Sequence, residues 1–291
     1  PEYNIRCIEA AVNQPFDEGL KTEGQLFAEL MSGPQSQAQQ YFFFSERQAG
    51  KVPGLSDDAK ELPIAKVGVI GGGLMGAGIA QVFASNDCKV KVFEPNQEVR
   101  LSLQDRVAEN LKLIGSDIAI AELIEVCGDL EEAVASAQYV TEAAPEKLDL
   151  KRSIFADLER LAPDDAILAS NTSVIPITHI TKGLETANRM VGTHWWNPPY
   201  LVPLVEVIQG DGTSQDTIDL TMGLLRGVGK EPAHVKKDRP GFVANRLQHA
   251  LWREAIAMVA EGICDARTLD TCVKNSFGLR LPVLGPLENA D

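Results

Sequence analysis

Paired cysteines, long apolar runs and basic residues are all scarce in this chain of 291 residues. Its five cysteines include no Cys-x-x-Cys pair, so neither a disulfide framework nor a zinc site is predicted, and a reducing compartment is expected. No apolar run has the length of a membrane span, and residue 1 is proline with no cleavable signal pattern after it. We therefore expect an intracellular protein whose chain is processed or cut from a longer one.

The shortage of basic residues leaves the chain strongly acidic. Lysine and arginine number 27 against 41 aspartates and glutamates, for a net charge of −14. This charge argues against nucleic acid or an anionic membrane as a partner. What is present is 44% hydrophobic and 23% charged residues, the composition of a globular protein with room for two domains.

A glycine-rich turn stands between two short apolar runs within residues 66–94. Gly71, Gly73 and Gly76 fit Gly-x-Gly-x-x-Gly, which after a strand and before a helix indicates dinucleotide binding. The first glycine permits a sharp turn, the second lets a pyrophosphate approach the backbone, and the third lets the helix pack on the strand. Glu94 ends the next apolar run, where a carboxylate can bind both ribose hydroxyls and repel a ribose phosphate, so NAD is favoured over NADP. An ordinary glycine-rich turn is the alternative.

Apolar runs alternate with helical patterns up to residue 237, and none follows it. The alternation predicts an α/β fold, a Rossmann-like doubly wound and mainly parallel sheet. Two helices are expected later, at 242–263 and 265–277. The predicted domains are a helical segment with a linker, an NAD-binding domain and an incomplete all-α C-terminal domain for substrate binding or dimerisation; their bounds are 1–62, 63–237 and 238–291.

The first fifty residues are predicted to be helical. Ile5, Ile8 and Val12 recur at three- and four-residue steps, and residues 51–63 contain prolines, a glycine and mixed charge typical of a linker. Four aromatics at 41–44 cannot all share one helix face. Some are expected to meet another domain or a partner, and a locally buried helix is the alternative.

His194 is the strongest candidate for proton transfer, because it ends an apolar strand and a histidine can take and give a proton near neutral pH. Glu206 lies twelve residues on within a second apolar strand, where a carboxylate is costly to bury unless it is paired. A connection between the two strands can bring this carboxylate to the imidazole and orient it. The alternative is a core histidine bonded to backbone, with Glu206 on an exposed edge.

Other polar residues at strand ends have simpler alternative explanations. Asn171 and Ser173 follow a strand and can cap the next helix. Asn245 lies in the first turns of an apolar helix, where its amide indicates a specific contact or an interdomain role. Glu146 and Lys151 can be ordinary solvated helix residues.

Six ordered motifs resemble the 3-hydroxyacyl-CoA dehydrogenase family. The resemblance runs from about Ile64 to Asp291 and rests on the following segments: GGGLMGAGIA, EAAPEKLDLK, ASNTS, THWWNPPYLVPLVEVI, DRPGFVANR and GPLENAD.

This resemblance implies an NAD-dependent enzyme with an acyl-CoA substrate and no metal. It makes His194 the catalytic base with Glu206 as its partner. It also implies that Ser173 and Asn245 hold the substrate's oxygen atoms. Besides the three glycines, it places these residues around the cofactor: Leu74, Met75, Glu94, Glu146, Lys151, Ser173 and Asn197.

The N-terminal segment resembles the end of the enoyl-CoA hydratase half of multifunctional β-oxidation enzymes. The expected protein partner is therefore a hydratase domain or a second copy of the chain, and the expected compartment is cytoplasmic, or peroxisomal in a eukaryote. One departure concerns Trp195 and Trp196, where the family usually has two phenylalanines. The NPPY and VPLVE segments also resemble the gulonate and carnitine dehydrogenases, which act on free hydroxy acids.

The sequence thus predicts oxidation of an L-3-hydroxyacyl-CoA to a 3-oxoacyl-CoA in fatty acid β-oxidation, with NAD as oxidant. Two alternatives stay open: a dehydrogenase of a free hydroxy acid, and a non-catalytic NAD-binding fragment that serves assembly. Neither acyl chain length nor oligomeric state follows from the sequence.

Overall fold

The computed structural model describes residues 2–49 and 64–288, with the side chains of 42–49 left out. The described residues divide into two compact units, one drawn from Pro1–Ala59 with Cys264–Asp291 and the other from Lys60–Ile263. The predicted linker lies outside the described residues, and the predicted domain bounds stay a prediction. Across the described ranges, no helix has both the length and the apolar character that a membrane crossing needs.

The first unit begins with three helices: α1 (Glu2–Asn13), α2 (Phe16–Ser32) and α3 (Pro34–Ala49). Helix α1 contacts α2, and α2 contacts α3. The apolar spacing indicated helices correctly, but Ile5, Ile8 and Val12 are exposed, whereas Ala10 and Leu26 are buried. Of the aromatic run, the side chain of Tyr41 is exposed and the next three lie outside the described side chains.

The second unit contains eight strands within the described residues: β1 (Lys66–Ile70), β2 (Lys89–Phe93), β3 (Ile124–Cys127), β4 (Tyr139–Glu142), β5 (Ile167–Ser170), β6 (Met190–Trp195), β7 (Leu204–Ile208) and β8 (Glu231–Val235). Its helices are α4 (Leu74–Ala84), α5 (Gln97–Leu101), α6 (Leu103–Leu113), α7 (Leu130–Val134), α8 (Leu148–Leu161), α9 (Ile177–Ile180), α10 (Gln215–Gly227) and α11 (Ala244–Ala260). The predicted strand and helix alternation is confirmed.

The eight strands form one sheet in the order β3-β2-β1-β4-β5-β6-β7-β8. Strands β1 to β6 are parallel, β7 runs antiparallel to β6, and β8 is parallel to β7. The strand order reverses between β1 and β4, which is the switch point where sheets of this type bind ligands at the carboxyl ends of their strands. The predicted doubly wound, mainly parallel α/β fold is confirmed.

Two hydrophobic clusters cover the two faces of the sheet. Val67 and Val69 belong to one cluster with residues of α4, α6 and α10, whereas Ile70 belongs to the other with residues of α7, α8 and α9. Alternate residues of a strand point to opposite faces, so strands with apolar residues at nearly every position require helices on both sides.

Side-chain caps set where several helices begin. Asn96 accepts hydrogen bonds from the amides of Glu98 and Val99, and Asp129 accepts one from the amide of Glu132. After Asn96 the chain forms two helices, α5 and α6, separated at Ser102.

The last two helices are shorter than expected. Helix α11 begins at Ala244 rather than at Phe242, because Gly241 and Phe242 have φ values of 74° and 49°. It carries no buried residue. Helix α12 (Ala266–Lys274), in the first unit, begins after Asp265, whose carboxylate accepts a hydrogen bond from the Thr268 amide.

Candidate active site

The glycine turn has the geometry that a dinucleotide requires. Gly71 has φ of 102°, and an added Cβ at Gly76 would lie 1.7 Å from the Gly71 carbonyl oxygen. An added Cβ at Gly73 meets no atom within 4 Å, and no side chain caps the start of α4 at this residue. The free amides and open space fit a pyrophosphate. Leu74 and Met75 form the first turn of this helix.

Glu94 lies beside the turn, as predicted. Its Oε2 accepts a hydrogen bond from the Gly72 amide at 2.7 Å, and its Oε1 accepts one from the Asn96 amide at 2.8 Å. Each oxygen keeps a lone pair for a ribose hydroxyl. The carboxylate thus fits the ribose of the dinucleotide.

Two arginines that the sequence reasoning missed hold this turn. Arg106 donates to the Gly72 carbonyl at 2.6 Å, and Arg100 donates to the Glu94 carbonyl at 2.7 Å. Both partners are backbone oxygens, which carry no sequence signal.

A buried ion pair lies at the carboxyl end of β4. Lys151 Nζ is 2.7 Å from Glu142 Oε1, and both side chains are fully buried. Ser170 donates to Glu142 Oε2 at 2.6 Å, and Lys151 also contacts the Ala144 carbonyl and Glu146. The structure therefore places Lys151 in protein contacts rather than at an open surface, because a buried charge needs partners on every side.

Glu146 binds the loop after β5 through several hydrogen bonds. Its Oε1 accepts hydrogen bonds from the Thr172 hydroxyl at 2.6 Å and from the amides of residues 173, 174 and 175. Burial raises the pKa of the Glu146 carboxyl, but these hydrogen bonds and the Lys151 ammonium outweigh it and hold the pKa below its usual range. Ser173 is fixed through its backbone, and its hydroxyl has no partner within the described part of the chain.

His194 and Glu206 form the pair that the sequence indicated. They lie directly opposite each other in the antiparallel register of β6 and β7. The His194 Nδ1 is 2.8 Å from Glu206 Oε2, and the two residues are 5% and 2% exposed. A carboxylate at Nδ1 assigns the proton to that nitrogen, which leaves the Nε2 lone pair for a substrate proton.

The second oxygen of Glu206 binds the start of α11. Its Oε1 accepts hydrogen bonds from the amides of Val243 and Ala244 at 3.0 and 3.1 Å. Burial raises the pKa of this carboxyl, but the hydrogen bonds from His194 and from the two amides outweigh it, so the pKa lies below its usual range. Glu206 is therefore held as the carboxylate.

Asn245 and Asn171 connect the surrounding segments. Asn245 Nδ2 donates to the Ser173 carbonyl at 3.2 Å, so the start of α11 is joined to the loop after β5. Asn171 Oδ1 accepts from the Trp195 amide at 2.9 Å, which links that loop to the end of β6. Ser173, Asn245 and the His194 pair are thus brought into one hydrogen-bonded region.

Asn197 is exposed, on the connection between β6 and β7. An added Cβ at Gly78 on α4 would lie 2.9 Å from Pro199, and Lys230 donates to the carbonyls of Pro199 and Val202. Burial lowers the pKa of Lys230. The sequence reasoning missed this lysine, whose partners are again backbone carbonyls.

Among the described residues, one group of potential metal ligands lies at strand β3 and the start of α7. Glu125, Cys127 and Glu132 place ligand-type atoms within 4.8 Å of one another. Glu125 already pairs with Lys91 at 2.9 Å. We assign no metal to them, and the prediction that the enzyme uses none stays a prediction.

The glycine turn and the polar residues of the candidate site lie together at the carboxyl edge of the parallel strands. The turn follows β1, Glu94 follows β2, Glu142 ends β4, Asn171 follows β5 and His194 lies near the end of β6. The edge therefore combines a surface for a dinucleotide with a histidine that can take a proton. That combination suits removal of a hydride and a proton from a hydroxyl group.

Family models and known proteins match the same residues. Residues 66–239 match the NAD binding domain of 3-hydroxyacyl-CoA dehydrogenase, and residues 241–291 match the C-terminal domain of 3-hydroxyacyl-CoA dehydrogenase. A 5-formyl-3-hydroxy-2-methylpyridine 4-carboxylate 5-dehydrogenase from Mesorhizobium japonicum is 37% identical over 233 residues, covering 78% of this chain and 75% of the relative.

Two further proteins are similar to the chain. An L-carnitine dehydrogenase from Streptomyces griseus is 38% identical over 228 residues, covering 77% of this chain and 68% of the relative. The crystal structure of an (S)-3-hydroxybutyryl-CoA dehydrogenase from Ralstonia eutropha superposes with a TM-score of 0.70 at 31% identity, covering 74% of this chain and 78% of the other.

Proposed function

Since the chain belongs to the 3-hydroxyacyl-CoA dehydrogenase family and carries its NAD-binding domain, we propose that it oxidises an L-3-hydroxyacyl-CoA to the 3-oxoacyl-CoA. The observation that carries this proposal is the His194–Glu206 pair at the strand edge that also holds the dinucleotide turn. The CoA thioester is the finer part of the proposal, supported by the two family models and by the similarity to a hydroxybutyryl-CoA enzyme.

In this mechanism His194 Nε2 takes the hydroxyl proton as the carbon–oxygen double bond forms. NAD, when bound, supplies the acceptor for the hydride that leaves the same carbon. Glu206 holds the Nδ1–H tautomer and stabilises the imidazolium that results. Ser173 and Asn245 are assigned to the substrate's oxygen atoms.

On the cofactor side, Gly73 and the free amides of α4 face the pyrophosphate, and Glu94 receives the ribose hydroxyls. Asn197 is assigned to the nicotinamide side of the cofactor. Glu146 and Lys151 support this side through the loop that holds Ser173, since their side chains bind protein groups.

A second candidate function is the dehydrogenation of a free hydroxy acid. The relatives from Mesorhizobium and Streptomyces are named for substrates without CoA, and they are 37% and 38% identical to this chain. The NPPY segment points the same way.

NADH oxidation with matched substrates separates these functions. We expect turnover with acetoacetyl-CoA and longer 3-oxoacyl-CoA thioesters, and little with acetoacetate or dehydrocarnitine. The reverse preference would assign the chain to the free acids. NADH binding with no turnover on either series would favour the non-catalytic alternative.

His194→Gln tests the assigned base. Loss of general acid–base catalysis is expected to lower kcat about 10²–10⁴-fold, with the Kd for NADH within about twofold of wild type. Steady-state assays measure kcat, and fluorescence titration measures the Kd for NADH. His249→Gln on the exposed side of α11 is the control and should retain activity. Normal turnover by the His194 variant would refute the assignment.

A further inference from the structure

The His194 imidazole contacts two aromatic rings. Its centroid lies 5.4 Å from that of Trp196, with the planes tilted by 56°, and 5.7 Å from that of Phe242, tilted by 52°. Aromatic faces carry negative electrostatic potential and attract cations within about 6 Å of the centroid. The His194 imidazole therefore packs against two ring systems of the kind that attract a positive charge.

Phe242 reaches His194 from an unusual backbone conformation. Its φ is 49°, a left-handed value that is unfavourable for a bulky residue, and its side chain is 2% exposed. Phe242 shares this positive φ with one other non-glycine residue, Asp87, among those described.

The left-handed conformation of Phe242 accompanies two contacts, one made by its ring and one made by the backbone amides that follow it. The ring of Phe242 packs against the imidazole, and the next two amides, of Val243 and Ala244, donate to Glu206. Strained backbone persists where surrounding contacts require it, and it concentrates at functional sites.

Among the titratable groups around His194, Glu206 also stabilises the imidazolium. Glu206 on β7 is the charged side chain in contact with the ring. Residues 242–245 have no titratable side chain. Strand β5 pairs with β6 on the side opposite β7, and its last residue, Ser170, is not titratable either. The helices α9 and α10 also pack on β6, and their titratable side chains have no contact with the ring within the described ranges; they are His179, Asp216, Asp219 and Arg226.

We propose that Phe242 is a positioning residue whose left-handed backbone sets both its own ring against His194 and the helix amides against Glu206, so that with Trp196 it stabilises the imidazolium formed during proton transfer. The proposal rests on the proposed function, in which His194 Nε2 takes the hydroxyl proton. The two rings exchange no proton or electron and act on the charged form through their π faces.

The pH dependence of oxidation tests the effect of the rings. A base must be neutral to take a proton, so on this proposal a ring that favours the imidazolium moves the acid limb of the pH profile to higher pH. Phe242→Leu and Trp196→Leu are each expected to move the limb of kcat/KM to lower pH by about half a unit. Phe242→Tyr and Trp196→Phe keep a ring and should retain the wild-type limb.

If the acid limbs of kcat/KM for the leucine variants stay at the wild-type pH, the proposed effect of the two rings is overturned. If the Phe242 variants do not fold, the Trp196 pair decides alone. Active His194→Gln would instead refute the proposed function, so the two failures are distinguishable.

The backbone part has its own test. Phe242→Gly and Phe242→Ala both remove the ring, but only glycine adopts the left-handed conformation without cost. The glycine variant is expected to unfold roughly 2–4 °C above the alanine variant. An alanine variant at least as stable as the glycine variant would show that the conformation carries no strain.

Discussion

Three glycines of one turn differ in what surrounds them, although they belong to a single motif. Gly76 faces the Gly71 carbonyl so closely that no side chain fits, whereas Gly73 faces open space. Packing therefore requires glycine at position 76, whereas at position 73 we expect the requirement to come from the ligand.

Alanine at these positions should separate folding from binding. Gly76→Ala is expected to lower the unfolding temperature by roughly 5–10 °C, because its methyl group must displace the turn. Gly73 has φ of −67°, which alanine also adopts, and open space surrounds the position of an added Cβ. The unfolding temperature of Gly73→Ala should therefore match wild type within about 1 °C.

The Kd of the Gly73 variant for NADH should nevertheless rise about tenfold or more, since the methyl group lies where the pyrophosphate approaches. Thermal unfolding and NADH fluorescence titration measure the two effects. Unchanged NADH affinity would remove Gly73 from the phosphate site.

Sequence patterns anticipated residues whose type and spacing define the chemistry, and missed residues whose partners are backbone. The twelve-residue interval between His194 and Glu206 on two apolar strands indicated their contact, which is present at 2.8 Å. Arg100, Arg106 and Lys230 bind carbonyl oxygens instead, and the positions of those oxygens depend on the tertiary fold.

At the scale of secondary-structure elements, one carboxylate organises a loop. Glu146, between β4 and α8, accepts hydrogen bonds from four groups of residues 172–175. Because the loop carries Ser173, its geometry depends on this carboxylate being ionised.

Glu146→Gln should destabilise the fold in a pH-dependent manner. At pH 7 the loss of charge-assisted hydrogen bonds should lower the free energy of unfolding by about 1 kcal/mol, a modest value because the carboxylate is partly exposed. The pKa of Glu146 is below its ordinary value of 4.5 in the folded state. Its contribution is therefore complete above about pH 4.5 and is lost as the pH falls through the lower, folded-state pKa.

Urea unfolding at several pH values measures the difference between the variant and wild type. The difference should be constant from pH 7 to 5 and shrink on further acidification. Glu109→Gln, an exposed carboxylate on α6, is the control and should match wild type throughout. A difference that grows toward acid pH would contradict the proposed contribution.

Element boundaries were less predictable than element types. The break between α5 and α6 at Ser102 has no signal in the apolar spacing. The start of α11 was placed two residues early, because Phe242 has a positive φ that no pattern in the sequence indicates.

For the whole molecule, alternation of apolar runs and helical patterns was sufficient to predict a doubly wound sheet. Burial was less predictable for helices. The apolar residues of α1 and α11 indicated helices, yet Ile8, Leu247 and Leu251 are exposed. Helical periodicity marks which residues share a face, but not what covers that face. The hydratase-like interpretation of the N-terminal segment, the protein partners and the compartment stay predictions.

The direct pairing of His194 with Glu206 also affects how the site can vary among relatives. Their distance is set by strand register, which changes only in whole residues and turns a side chain to the opposite face at each odd step. Substitutions and length changes in the connection at 196–203 leave this register in place, whereas one inserted residue within β7 would point Glu206 away from the imidazole. The connection can therefore change in length and sequence while the contact between His194 and Glu206 is kept.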